Sequence, residues 1–395
     1  MPASLRRIAP VFVGAIIASI SNINGPIGPT RSSVSDVGGA LVPTTTVSLP
    51  QAAAASGPPA VSDTQLAYVL PVSPASATTK TSSSARIFVR SLRSTSTGLT
   101  VGPPHPICTI TGPSGLVVTL WSAAGEWVGY SASHADRTAP WSLAMCHVLT
   151  GRHVVLDTSA GEKVSSLPIT ARSDGHTVVW VSSTLLGDHH QETTVIRTYD
   201  LASSRRRVLA QGGSPSTFAY GDPSVSGQRV LFEKSSIAGD GSVQLLLADV
   251  DTGRIRPISR PQPDIAGASL SGNIVTWGIK APGADWSNGA IGIGVYNVRT
   301  RARTQFNEHP ITIQQAVAGH DVVFVTGEAT LGQLTTLWLY DARTGRRVRL
   351  VQPHPPQSYG VGNVISIGGH AIAYLGATPG QQAPTHVPVV ILLLP

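Results

Sequence analysis

One short pattern recurs seven times along the chain and limits what it can fold into: a turn residue, then an alternating apolar run whose fifth residue after the turn is aromatic. The copies are DTQLAY from Asp63, GEWVGY from Gly125, GHTVVW from Gly175, GQRVLF from Gly227, GNIVTW from Gly272, GHDVVF from Gly319 and GHAIAY from Gly369. Their aromatics (Tyr68, Tyr130, Trp180, Phe232, Trp277, Phe324 and Tyr374) are spaced by 62, 50, 52, 45, 47 and 50 residues. With only 5% aromatic residues in the chain, chance does not put seven copies in phase. In most repeats an apolar strand follows that ends near an Asp or Asn (Asp200, Asp249, Asn297, Asp341), turns, and leads into another strand. Four strands repeated at this period make a propeller blade. The expected fold is therefore all-β: a seven-bladed β-propeller of four-stranded antiparallel blades.

Composition agrees. Charged residues make up 12% and apolar residues 41%, with 40 Gly and 30 Pro, which suits many short strands joined by turns and excludes a disordered chain. Apolar runs such as that from Val178 and that from Val243 suit sheets covered on both faces. Only four of the 28 basic residues are Lys, so arginine carries the net charge of +7. That charge permits an anionic cell-surface polymer as a partner but does not specify one.

At the N-terminus, Arg6 and Arg7 precede an apolar run from Ile8 to Ile20, followed by small and polar residues. Residues 1–21 read as an export signal, or as an anchor if uncleaved, and membrane contact is expected only in the second case. Residues 22–42 read as a disordered low-complexity linker and 43–395 as the propeller. Cys108 and Cys146 suit an oxidising compartment in which they pair, the alternative being two buried thiols. The bond is the preferred state, and closing a loop of about 38 residues it would stabilise by about 4 kcal/mol on the chain-entropy model.

Over roughly residues 57 to 395 the repeats resemble the TolB-like and WD40-like propeller repeats of exported bacterial proteins. Asp200, Asp249 and Asp341 match the acid that closes the third strand in that family, and Ser173, Asp174 and Gly175 approach its Ser-Pro-Asp-Gly turn. Ser226–Gly227 and Ser271–Gly272 are shorter relatives of the same turn. The resemblance implies a fold and little about function.

No linear motif of catalysis is present: no Gly-x-Ser-x-Gly, no Walker loop, no His-Glu-x-x-His and no EF-hand loop. No cofactor is expected and no metal site is assigned. Asp188, His189, His190 and Glu192 are metal-ligating types, but neighbours on one loop rarely converge on an ion. His176, His320 and His370 each follow the repeat's turn residue, where other copies carry Thr64, Glu126, Gln228 and Asn273, so a polar turn position accounts for them.

Antiparallel connections alternate between the two ends of a propeller, and the long loops fall at one end. They bring His134, Asp136, Trp141, Asp188, His189, His190, Asp240, Asp285 and Trp286 there as the candidate surface for a protein or glycan partner, unless Trp141 and Trp286 fold back onto their blades. The tight hairpins at the other end concentrate arginine, with Arg205, Arg206, Arg207, Arg346 and Arg347 as candidates for docking an anionic polymer. Charge that protects exposed outer strands from edge pairing is the plainer account of them. Nothing supports nucleic-acid binding.

A non-catalytic binding scaffold is the leading expectation. The alternative is an extracellular lyase or glycosidase whose acids come from several blades. A last expectation concerns ring closure. The seventh repeat has no fourth strand after Val387–Leu394, whereas Thr44–Pro50 is a β-prone run upstream of the first. Thr44–Leu49 should pair with Val389–Leu394 and close the ring.

Overall fold

The computed structural model describes residues 31–37, 40–50, 59–72, 82–95, 98–134, 140–159, 171–186, 191–213, 218–236, 241–280, 290–326, 336–351, 365–368, 370–375 and 386–393. The described segments are strands and turns, and every strand pairing is antiparallel. None of the described residues forms a helix long and apolar enough to cross a membrane.

Each aromatic run lies in the second strand of a set. Gln65–Val72 sits between Ala60–Ser62 and Ser82–Thr95, with Gly98–Val101 and His105–Pro113 both pairing to the latter. Leu116–Ala124, Trp127–His134, Ser142–His147 and His153–Thr158 form the next sheet. Ala171–Ser173, Thr177–Leu186, Gln191–Asp200 and Arg205–Gly213 follow, and then Phe218–Ser226, Arg229–Ser236, Val243–Asp249 and Ile255–Pro257. The next two repeats share one strand: Arg303–Ala318 pairs first with Ala290–Asn297 and then with Asp321–Thr326, merging both into a seven-stranded sheet. Tyr68, Tyr130, Trp180, Phe232, Trp277 and Phe324 are all buried, at 4% exposure or less. The repeat is thus a packing device in which each aromatic fills the space between its sheet and a neighbour. Trp180, for example, packs with Trp127, Met145 and Leu156 of the preceding sheet. This is a β-propeller fold.

Repeat chemistry also links sheet to sheet. The residue before the turn glycine, or one like it, accepts from the glycine N–H of the next repeat: Asp174 from Gly227 at 2.7 Å, Ser226 from Gly272 and Ser271 from Gly319, both at 2.8 Å. Gly227, Gly272 and Gly319 have φ of 58°, 54° and 60°, the left-handed region in which a side chain is strained. The acids that end the third strands cap their own hairpins. Asp249 Oδ1 accepts from Thr252 N and Oγ1 at 2.8 and 2.7 Å, and Asp200 does the same with Ser203. These bonds to the charged form lower both carboxyl pKa values.

Ring closure uses the expected strands, with the partner run reaching back to His386. Ala40–Pro50 pairs with His386–Leu393, Thr44 opposite Leu392 and Leu49 opposite Val387. Thr45, Val47 and Leu49 point into the core while Thr46, Ser48 and Pro50 are half-exposed. The closing sheet differs from expectation in one respect: Arg31–Val37, read as linker, is a fifth strand paired outside Ala40–Pro50. Gly38 and Gly39 fall between the two strands, a hairpin signal that outweighs the segment's polar composition.

Cys108 and Cys146 form a disulfide with a Cα–Cα distance of 6.5 Å. It ties His105–Pro113, which pairs into the first sheet, to Ser142–His147 of the second. Mass analysis after alkylation without reductant should find no modified thiol. Cys146→Ser should cost about 2–5 kcal/mol of stability in chemical denaturation, and an unchanged midpoint would show the staple to be dispensable.

Candidate functional site

Of the residues expected on the long-loop surface, Asp136, Asp188, His189, His190, Asp240, Asp285 and Trp286 lie outside the described residues. His134 is half-exposed, with its Nε2 against the Ser114 carbonyl and its ring over Gly115. Trp141 corrects the exposed-tryptophan reading. It is 8% exposed and packed with Leu143, Met145 and Trp180, because its backbone N–H donates to Ser159 Oγ at 2.8 Å and draws the entry to its strand inward.

The arginines are largely occupied in the fold. Arg206 stacks over Trp180 at 5.8 Å and Arg347 over Trp338 at 4.1 Å. Arg152 over Trp127 and Arg303 over Trp277 repeat the arrangement, each fourth-strand arginine covering the aromatic edge of its own sheet. Arg207 donates to the Val250 carbonyl at 2.6 Å. Arg205 and Arg346 are exposed. Arg205 and Arg207 line a 170 Å³ cleft between neighbouring hairpins, but Asp200 and Asp251 share its walls, so it is not a uniform cationic patch.

A different group meets on the first and second strands, where sequence reading assigned nothing. Phe218–Ser226 is a first strand carrying a bulge: its register to Arg229–Ser236 shifts between Gly221 and Ser224, so Asp222 and Pro223 oppose Phe232 alone. Asp222 adopts φ of 40°, in the left-handed region. Ile265–Ser271 carries an equivalent bulge between Ala266 and Ser269, opposite Trp277. That second bulge turns the Gly267 and Ala268 N–H groups toward Glu233, whose Oε1 accepts from Ala268 N at 3.1 Å. Glu233 is 6% exposed, and burial, reinforced by the negative charge of Asp222, pushes its carboxyl up to about 8 despite those two bonds.

Arg172, on the first strand of the preceding sheet, completes the group. Burial lowers its pKa, and the charge of Asp222 opposes that shift. Its side chain nevertheless reaches solvent. The guanidinium is thus open to a ligand while sitting within the electrostatic reach of Asp222. Three successive sheets therefore contribute a cation, two carboxyl groups and two directed N–H groups. Along the Asp222 strand, Phe218 and Tyr220 are half-buried, 5.2 Å apart, with Lys234 Nζ 4.1 Å from the Phe218 ring. The sequence signal for this group was the run Gly221-Asp222-Pro223-Ser224, bulge-forming residues around an acid just before a repeat turn.

A second set of metal-ligating types, Cys108, Cys146 and His153, is occupied by the disulfide.

No protein-family model matches the chain, and no curated protein matches it. Solved structures do. An acylaminoacyl peptidase from Pyrococcus horikoshii is 11% identical over 81% of this chain and 48% of its own, with a TM-score of 0.53. The chain spans about half the length of that peptidase. The β-propeller domain of the trilobed protease from Pyrococcus furiosus is 10% identical over 81% of this chain and 88% of its own, with a TM-score of 0.51. An oligogalacturonate lyase from Vibrio parahaemolyticus is 11% identical over 94% of this chain and 99% of its own, also with a TM-score of 0.51. The fold is a β-propeller of the kind these proteins share. At such identities the likeness extends to fold alone.

Proposed function

We propose that the protein is an exported seven-bladed propeller that acts as a non-catalytic scaffold and binds an acidic glycan. The observation that carries this reading is the meeting of Arg172 with Asp222 and Glu233 of the neighbouring sheet. A wet guanidinium inside a recess suits a sugar carboxylate, the two acids suit sugar hydroxyls, and half-buried Phe218 and Tyr220 suit the apolar face of a sugar ring. The long loops bearing His134, Asp136, Asp188, Asp240 and Asp285 remain, in this reading, the candidate source of further contacts to the glycan. The disulfide fits an oxidising compartment, which supports export through residues 1–21.

One observation favours an enzyme as a second reading. A carboxyl group that keeps its proton to about pH 8 beside another acid is suited to general acid chemistry on a glycan. A solved neighbour that covers 94% of this chain is an oligogalacturonate lyase.

Calorimetric titration of the full chain with uronic-acid oligosaccharides and with neutral ones of equal length separates the readings. The scaffold reading expects binding of the acidic series only, weakened at least tenfold by Arg172→Gln, with the sugar recovered intact. Recovery of cleaved sugar, lost in Glu233→Gln, selects the enzyme. Equal affinity for both series, or for Arg172→Gln and the parent, would sink both.

A further inference from the structure

We infer that His320, Asp321 and Asp341 form a site for a zinc-like divalent cation, independent of the glycan recess. Asp321 opens a second strand and lies directly opposite Asp341, which closes the third. His320 occupies the turn between the first and second strands, and its carbonyl accepts from Ala342 N at 3.0 Å, which holds the turn against the hairpin. His320 Nε2 is 3.7 Å from Asp321 Oδ1 and 4.0 Å from Asp341 Oδ1. Those separations are too long for hydrogen bonds. They are slightly wider than the edge of a zinc tetrahedron, about 3.4 Å for ligand bonds of about 2.0–2.1 Å.

The second observation is independent of that spacing. The Asp321 side chain is 4% exposed, and its Oδ2 is buried with no hydrogen-bond partner. A buried carboxylate oxygen without a partner costs free energy that a bound cation would recover. Asp341 is held in place by its own hairpin, Oδ1 accepting from Arg343 N at 2.8 Å and Oδ2 from Thr344 Oγ1 at 2.9 Å, while the Arg343 guanidinium, 3.5 Å from Oδ1, is 66% exposed. His370, from the turn of the following repeat, packs beside Gly319, its Nε2 3.4 Å from where a Cβ would stand, and water completes the coordination in this proposal. Mixed imidazole and carboxylate donors suit zinc over magnesium or calcium, which prefer oxygen alone. His320, set aside as a polar turn residue, is thereby given a task of its own.

The test uses the full chain, stripped with chelator and kept without reductant so that the cysteines stay paired, and equilibrium dialysis with zinc chloride or magnesium chloride at micromolar concentration. Retention of roughly one zinc per chain is expected, with no magnesium. At a hundredfold excess over Kd, zinc should raise the melting temperature by about 4 °C. His320→Gln should weaken binding at least tenfold. The double variant His189→Ala, His190→Ala should bind as the parent does. Failure of the parent to retain zinc, parental binding by His320→Gln, or loss of binding in the double loop variant would each overturn the site.

Discussion

Truncation to residue 51 will lower the melting temperature sharply and drive aggregation, whereas truncation to residue 39 will cause a much smaller fall. The longer truncation removes the strand Ala40–Pro50 and leaves His386–Leu393 as an open, apolar edge. It also takes Val47 and Leu49 from a cluster shared with Val61, Leu66, Ala371, Val389 and Ile391. Burial of one such side chain contributes about 1.5–3 kcal/mol, and the void left behind adds to the loss. The shorter truncation removes Arg31–Val37, which pairs with Ala40–Pro50 on the side away from His386–Leu393 and leaves the closing ladder intact. Val47→Asp in the full chain should reproduce the larger effect, since it places a charge at a position with 0% exposure. Equal melting of the two truncations would mean that the closing strand contributes nothing of its own. Differential scanning calorimetry with light scattering reads both effects.

The closing strand was legible because two local facts matched: an apolar strand in the seventh repeat, and a period-two Thr/Val/Leu run upstream of the first. The aromatic repeat was legible for the same kind of reason, since a pattern in phase over the whole chain reports packing common to every sheet. What the sequence left hidden depends on geometry between sheets. Nothing in the spacing of Arg172, Asp222 and Glu233 announces that they meet, because the two bulges that bring Gly267 and Ala268 to Glu233 are set by register shifts opposite Phe232 and Trp277. The stacking of the arginines was hidden too: charge counts show an arginine-rich end, but only the fold shows Arg206, Arg303 and Arg347 lying over indole rings of their own sheets. His320 and His370 each looked like one more polar turn residue until the fold placed the second against the glycine preceding the first.

The stability of the protein should fall as pH rises from about 5 to about 8, and Glu233→Gln should remove most of that fall. The Glu233 carboxyl ionises near its ordinary value of 4.5 once the chain unfolds, but in the folded protein it holds its proton up to about 8. Between those values the folded state binds more protons than the unfolded state, so unfolding becomes easier with each increment of pH. The contribution is fully present below about 4.5 and is lost as pH passes the folded value. At about 1.4 kcal/mol per pKa unit, and discounting for the coupling to Asp222, the loss is about 3 kcal/mol. Asp200 and Asp249 act in the opposite sense, since hydrogen bonds lower their pKa values. Their contribution is present above the unfolded value and lost in acid, below the window in question. Asp321, raised by burial, has the same sign as Glu233, so its own variant Asp321→Asn is the control for how much of the slope belongs elsewhere. In Glu233→Gln the amide oxygen can still accept from Ala268 N, and the amide N–H₂ can donate toward Asp222, so the recess keeps its bonds without the titration. Urea midpoints measured at pH 5, 6, 7 and 8 for the parent and for Glu233→Gln decide the matter. A parent whose midpoint holds level across that range, or a variant that falls in parallel with it, would show that Glu233 is ionised in the folded protein and that the recess carries a full second negative charge.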